Sequence, residues 1–168
     1  MQSGNGTISI YESVGGKRGK LLATEEKFLP PGPVLIALKG DTWPPVPDTP
    51  TTQGSIEVIA NSFSPPGDEP SVCLFNLSPD TPRASMTREA KEIATGIAFG
   101  DRSTWSGMPA TSSAFTVTDA ATVTNVLTSF TKTPPLGASS VYLIGKQDKT
   151  APKEYQTNHV WLIDSPPA

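Results

Sequence analysis

Pro and Gly punctuate this chain at short intervals, 18 and 14 of them in 168 residues, and between the clusters lie short runs rich in Val, Ile, Thr and aromatic residues. Pro lacks a backbone donor and clashes with the preceding helical turn. Gly and the β-branched residues also disfavour helix. The runs Thr7–Tyr11, Pro33–Leu38, Ser55–Phe63, Ser71–Leu77, Ala114–Thr118, Val123–Phe130, Ser140–Ile144 and His159–Ile163 read as strands. Gly15-Gly16, Pro30-Pro31-Gly32, Pro65-Pro66-Gly67-Asp68, Ser78-Pro79-Asp80 and Pro134-Pro135-Leu136-Gly137 read as the turns between them. This spacing predicts an all-β sandwich or barrel. One segment, Thr87–Ile97, pulls the other way: Arg88-Glu89-Ala90-Lys91-Glu92 has good helix propensity, so either a short helix or a strand at Glu92–Ala98 fits it.

Self-similarity organises the runs. Ile56–Phe63 aligns with Val123–Phe130; both end in Ser-Phe and lead into a Pro-Pro turn with a Gly. The strands that follow, Ser71-Val72-Cys73-Leu74-Phe75 and Ser140-Val141-Tyr142-Leu143-Ile144, share a pattern. The expectation is two tandem, similar sandwich-like units, 1–70 and 71–145, in a pseudo-two-fold relation. An extended arm, 146–168, then carries a linker and a terminal strand. In Ser71–Leu77 apolar side chains fall on both faces, which marks a strand buried on both sides or one with a side facing a partner.

Val72-Cys73-Leu74-Phe75-Asn76-Leu77-Ser78-Pro79-Asp80-Thr81-Pro82 resembles the opening of a widespread small β-sandwich family, whose members run from a strand into Asn/His-x-Ser-Pro-Asp-x-Pro. Ala94-Thr95-Gly96-Ile97-Ala98-Phe99-Gly100 resembles a later segment of that family. The likeness covers about 71–145, with 1–70 a more divergent copy. Tandem modules of this kind are similar to the alginate-acetylation adaptors of the AlgF type, which implies a binding role outside the cytoplasm and no enzymatic activity. The two β regions with a C-terminal tail more loosely resemble the pyrenoid shell proteins of diatoms, which implies self-assembly at the chloroplast pyrenoid. In the motif itself, Ser78 and Asp80 are placed to bond backbone N–H groups and lock the turn that leaves the strand.

The inventory of reactive groups is thin. One cysteine, Cys73, and one histidine, His159, exclude a disulfide framework and thiolate-rich metal sites, and leave little for His-based catalysis. A net charge of −3 argues against a general nucleic-acid binder. No apolar stretch is long enough for a membrane-spanning helix, and the opening residues lack a leader pattern. Gly15-Gly16-Lys17-Arg18-Gly19-Lys20 misses the phosphate-loop spacing, with Leu21 where a hydroxyl is needed, and reads as a basic hairpin turn. Glu89/Glu92 and Asp80/Asp101 read as surface charge rather than as a glycosidase pair, and Cys73 as a buried thiol. Asn5 and Asn76 head glycosylation sequons.

Two features read as contact surfaces. The Pro-dense segment Trp43–Pro50 is an extended, pre-ordered loop headed by an aromatic anchor, and Trp105 heads a comparable loop. The strand His159–Ile163, tethered by the polar segment Lys146–Asn158, can pair with a sheet edge. The sequence thus predicts a non-enzymatic protein without cofactor or metal, which associates with copies of itself into a sheet or shell. Its expected contacts are Trp43, Pro45, Trp105, Val160, Trp161 and Leu162. The alternative is a polysaccharide- or protein-binding adaptor.

Overall fold

The computed structural model describes residues 3–31, 34–40, 54–60, 69–147, 149–150, 153 and 156–163. Trp43 and Pro45 lie outside the described residues. The chain is all-β: twelve strands and no α-helix among the described residues. It divides into two units, Met1–Ser62 and Phe63–Ala168, so the terminal strand belongs to the second unit rather than to a separate arm.

The first unit holds two antiparallel hairpins. Strands β1 (Gly4–Val14) and β2 (Lys17–Leu29) are joined by Gly15-Gly16; β3 (Val34–Gly40) pairs with β4 (Gly54–Ala60). Gly15 and Gly16 take φ of 57° and 76°, the doubly left-handed turn whose twist matches that of paired strands. Ile8 and Ile10 face Glu25 and Ala23 across the ladder. Among the described residues of this unit, Ala23, Ala37 and Ile56 are buried hydrophobics. Its inward-facing charge is neutralised locally. The Glu25 carboxylate accepts the Ile56 N–H of β4 at 2.7 Å and meets Lys27 Nζ at 2.7 Å, and the Lys27 bond foremost, then that N–H, holds its pKa below the usual carboxylate value.

The second unit is a two-layer sandwich. One sheet, in the order β10-β9-β6-β7, is wholly antiparallel: β6 is Arg83–Arg88, β7 Lys91–Ala98, β9 Ser113–Asp119 and β10 Val126–Lys132. The other, in the order β12-β11-β5-β8, places β5 (Ser71–Asn76) and β11 (Ala138–Ile144) side by side and parallel. Antiparallel neighbours flank them, β12 (Asn158–Ile163) and the two-residue β8 (Ser106–Gly107). Inward side chains from both layers form the core: Val72 and Leu74, Ala84 and Met86, Phe115 and Val117, Val141 and Leu143, with Ala94 and Met108. Every residue of β5 is buried, as the apolar pattern on both its faces requires.

Of the two readings of Thr87–Ile97, the strand is the one the structure takes: the segment lies in the β6–β7 hairpin, with β7 at Lys91–Ala98, and tertiary pairing of β6 with β9 outweighs local helix propensity. Its turn is tight and built without glycine, so Glu89 and Ala90 sit at φ of 48° and 64°. The two similar strands Ser71–Phe75 and Ser140–Ile144, both inside the expected second unit, are parallel neighbours within one sheet. Their likeness reflects a shared environment, since both are central strands covered on both faces. The described pairing also differs between the units: two two-stranded sheets in the first, two four-stranded sheets in the second.

Candidate interaction edge

The Asn-x-Ser-Pro-Asp-x-Pro turn becomes a closed polar network. Asn76 is fully buried; its amide nitrogen donates to the carbonyls of Thr81 (2.8 Å) and Ile97 (3.1 Å), and its oxygen accepts from Ser78 N–H at 3.2 Å. The Ser78 hydroxyl reaches Thr81 Oγ1 at 2.8 Å and Asp80 Oδ1 at 3.3 Å. Both Asp80 oxygens accept the Gln147 backbone N–H at 2.9 Å, and Asn125 Nδ2 donates to Gln147 Oε1 at 2.8 Å. The motif therefore ties the exit of β5 to the exit of β11, a structural role; Asn76, spent in these bonds, is no acceptor for a glycan. Beside the network lies a cavity of ≈ 120 Å³ lined by Asn125, Lys146, Gln147, Lys149, Gln156 and Thr157, among others. The buried Thr157 hydroxyl has no hydrogen-bond partner.

The remaining reactive groups are structurally engaged. His159 Nδ1 lies 3.0 Å from Thr128 Oγ1, and its ring stacks on Phe130 with centroids 3.8 Å apart. Partial burial, and secondarily Lys132, hold its pKa below the usual 6.5. Among the described residues, a hydroxyl and an aromatic ring hold this histidine. Glu89 Oε1 accepts the Ala114 N–H at 2.6 Å. Cys73 is buried, with Sγ 3.3 Å from Ser140 Oγ. The turn after β1 is exposed and basic, and Arg18 lies over the Tyr11 ring at 4.1 Å. Among the described residues no group of three or more His, Cys, Asp or Glu side chains could hold a metal ion.

The sandwich has four edge strands, and three are protected. β8 is two residues long, and the chain before it continues the cover of β5: Asn76 N–H bonds Asp101 O at 3.1 Å, and Ser103 N–H bonds Leu74 O at 2.9 Å. β7 begins with Lys91-Glu92, pairs through two irregularities and has its Ile93 carbonyl capped by the Ser106 hydroxyl at 2.8 Å. β10 carries a register shift between Val126 and Thr128 and ends in Lys132. Such charges, bulges and short strands are how proteins blunt open sheet edges. β12, Asn-His-Val-Trp-Leu-Ile, pairs with β11 in unbroken register and contains no charged residue and no Pro.

The expected contacts sort by the alternation of this strand. Val160 and Leu162 share the outer face and are 38% and 37% exposed, beside Ile144 at 36%. Trp161 points the other way, into the sandwich, where it meets Phe115 edge-on at 5.4 Å and Phe130 at 5.9 Å. Trp105 is half-buried, with the Arg102 guanidinium 5.7 Å from its ring. Ile144 joins this outer face, brought there by the register of β12 on β11, which no single strand reveals; the exposed Ile163 lies on the face of Trp161. No protein-family model matches the chain, and no curated protein matches it significantly.

Proposed function

We propose that the chain is a non-catalytic structural protein that associates with copies of itself, with the open edge of β12 as its primary contact. One observation carries the reading: among the described residues β12 alone of the four sandwich edges lacks a charge, a bulge, a Pro or a covering segment, and it presents Val160 and Leu162 to solvent beside an edge that no described strand pairs. An edge left in that condition favours a strand from elsewhere. Growth into a sheet or shell requires a second contact, because one two-fold contact closes at two copies. Sedimentation velocity over a concentration series, with negative-stain microscopy, tests the reading. Particles that grow with concentration, and that Leu162→Lys abolishes, are the expected result; a monomer at every concentration overturns it. Deleting 159–168 is a poorer probe, since it also removes Trp161 from the core.

A second reading, a glycan-binding module, rests on the polar cavity beside Gln147 and on the unpartnered Thr157 hydroxyl in its wall. It predicts that titration with acidic oligosaccharides perturbs the amide signals of Asn125, Gln147 and Gln156. Unmoved signals at millimolar ligand overturn it.

A further inference from the structure

The backbone of β12 specifies how a second copy fits. The Leu143 carbonyl accepts Leu77 N–H at 2.8 Å and the Gly137 carbonyl accepts Ser71 N–H at 2.8 Å, so the odd-numbered residues of β11 turn their backbone groups toward β5. In an antiparallel ladder, facing residues alternate between hydrogen-bonded and non-bonded pairs. Leu143 faces His159 and Val141 faces Trp161, so these are the non-bonded pairs. His159, Trp161 and Ile163 therefore direct their N–H and C=O groups at the open edge. The Asn158 side chain already caps one of them, since its Oδ1 accepts the His159 N–H at 2.8 Å.

Resting on the self-association reading, we infer that two copies join by antiparallel β12–β12 pairing about a two-fold axis at Trp161. In that register Trp161 faces Trp161 of the second copy, and His159 faces Ile163 in both directions. All three edge-directed residues of each strand then form hydrogen-bonded pairs, the His159 N–H exchanging the Asn158 oxygen for the Ile163 carbonyl of the second copy. A two-fold centred on Val160 retains only the His159–Trp161 pairs and leaves Ile163 outside the ladder. A register slipped by one residue sets edge-directed groups against groups that point away, and moves each side chain opposite one from the other face. The register at Trp161 also sets Val160 against Leu162 of the second copy, in the closer non-bonded geometry of about 4.5 Å between Cα atoms. Val160 and Leu162, 38% and 37% exposed, cover each other on one face, and Ile163, 57% exposed, meets His159 on the other. Charge permits it: a two-fold sets each strand against its own composition, and Asn158–Ile163 carries no formal charge to repel its copy. The two layers containing β12 become one continuous sheet. An edge of six residues spans about 20 Å and covers far less than the roughly 800 Å² per partner of a stable interface, so the dimer is weak and concentration-dependent.

Disulfide trapping tests the register. Val160→Cys and Leu162→Cys are made separately in a Cys73→Ala background, each checked for native circular dichroism, and oxidised alone and mixed. The inference predicts linked dimer in the mixture and none in either variant alone. Linkage of the Val160→Cys variant with itself indicates the two-fold at Val160 and overturns the inference while the self-association reading stands. No linkage in any sample, with concentration-dependent sedimentation intact, places the contact elsewhere and overturns the inference alone. No linkage with a monomer at all concentrations overturns both.

Discussion

Replacing Asn76 by Ala removes the side chain that closes the turn leaving β5. Its amide serves three backbone groups: the Thr81 carbonyl and the Ser78 N–H in buried bonds, and the Ile97 carbonyl in a part-buried one. The main-chain bonds of Asn76 itself, to Asp101 O at 3.1 Å and from Gly100 N–H at 2.7 Å, are unaffected. A buried polar group left without a partner costs about 1–3 kcal/mol. At the lower figure three of them amount to about 3 kcal/mol, a large share of the 5–15 kcal/mol typical of a domain. For a unit of this size, at about 4 °C per kcal/mol, the melting midpoint falls by about 12 °C. Urea melts followed by tryptophan fluorescence read this out, with Trp105 and Trp161 as reporters in the same unit. The midpoint should move while the denaturant slope stays constant. Asn76→Asp keeps the shape but turns an oxygen toward the Thr81 and Ile97 carbonyls, so it should cost as much at neutral pH. A loss below about 1 kcal/mol in both variants would refute the reasoning, because the clamp would then be dispensable.

Ala90→Gly should stabilise the second unit, by about 0.5–1 kcal/mol, since Ala90 holds a left-handed φ of 64° that glycine adopts without strain; an unchanged or lower urea midpoint counts against this. Trp161→Ala should cost about 3 kcal/mol at every protein concentration, because Trp161 packs on Phe115 and Phe130; a loss seen only at high concentration would make it an interface residue instead. His159 has a folded pKa below its ordinary 6.5, so the unfolded chain binds its proton first as pH falls. Its contribution is complete above the ordinary value, declines as pH drops below it, and levels once the lowered folded value is passed. Thermal melts from neutral to mildly acid pH should show that decline in the wild type and less of it in His159→Gln; identical profiles would exclude the histidine as its source.

Much of the fold was legible because the strands that build the core follow simple rules. Ser71–Leu77 showed apolar residues on both faces, and the structure covers both. The Pro-Asp turn advertised its side-chain bonds, although the partner that closes it, Gln147, lies far along the chain. β2 was missed because its inward positions include Glu25 and Lys27, a charged pair that breaks the apolar alternation and is tolerated through the Ile56 N–H. The β6–β7 hairpin was obscured by Glu, Ala and Lys, good helix formers that three-strand pairing overrules. At the candidate edge, a period of two already separates Trp161 from Val160 and Leu162. Grouping all three by their apolar character ignored the alternation that sends the tryptophan inward.

The parallel partnership of β5 and β11 has a consequence for how the second unit comes into being. The backbone of Ser71 waits for Gly137, and that of Leu77 for Leu143. On a ribosome adding residues one at a time, a strand that ends buried along its whole length emerges well before its neighbour exists. Pairing across so long a chain separation is slow, and a nascent strand like this is a target for chaperones. A transcript broken between those positions would leave Val72–Phe75 with no lateral companion on that side.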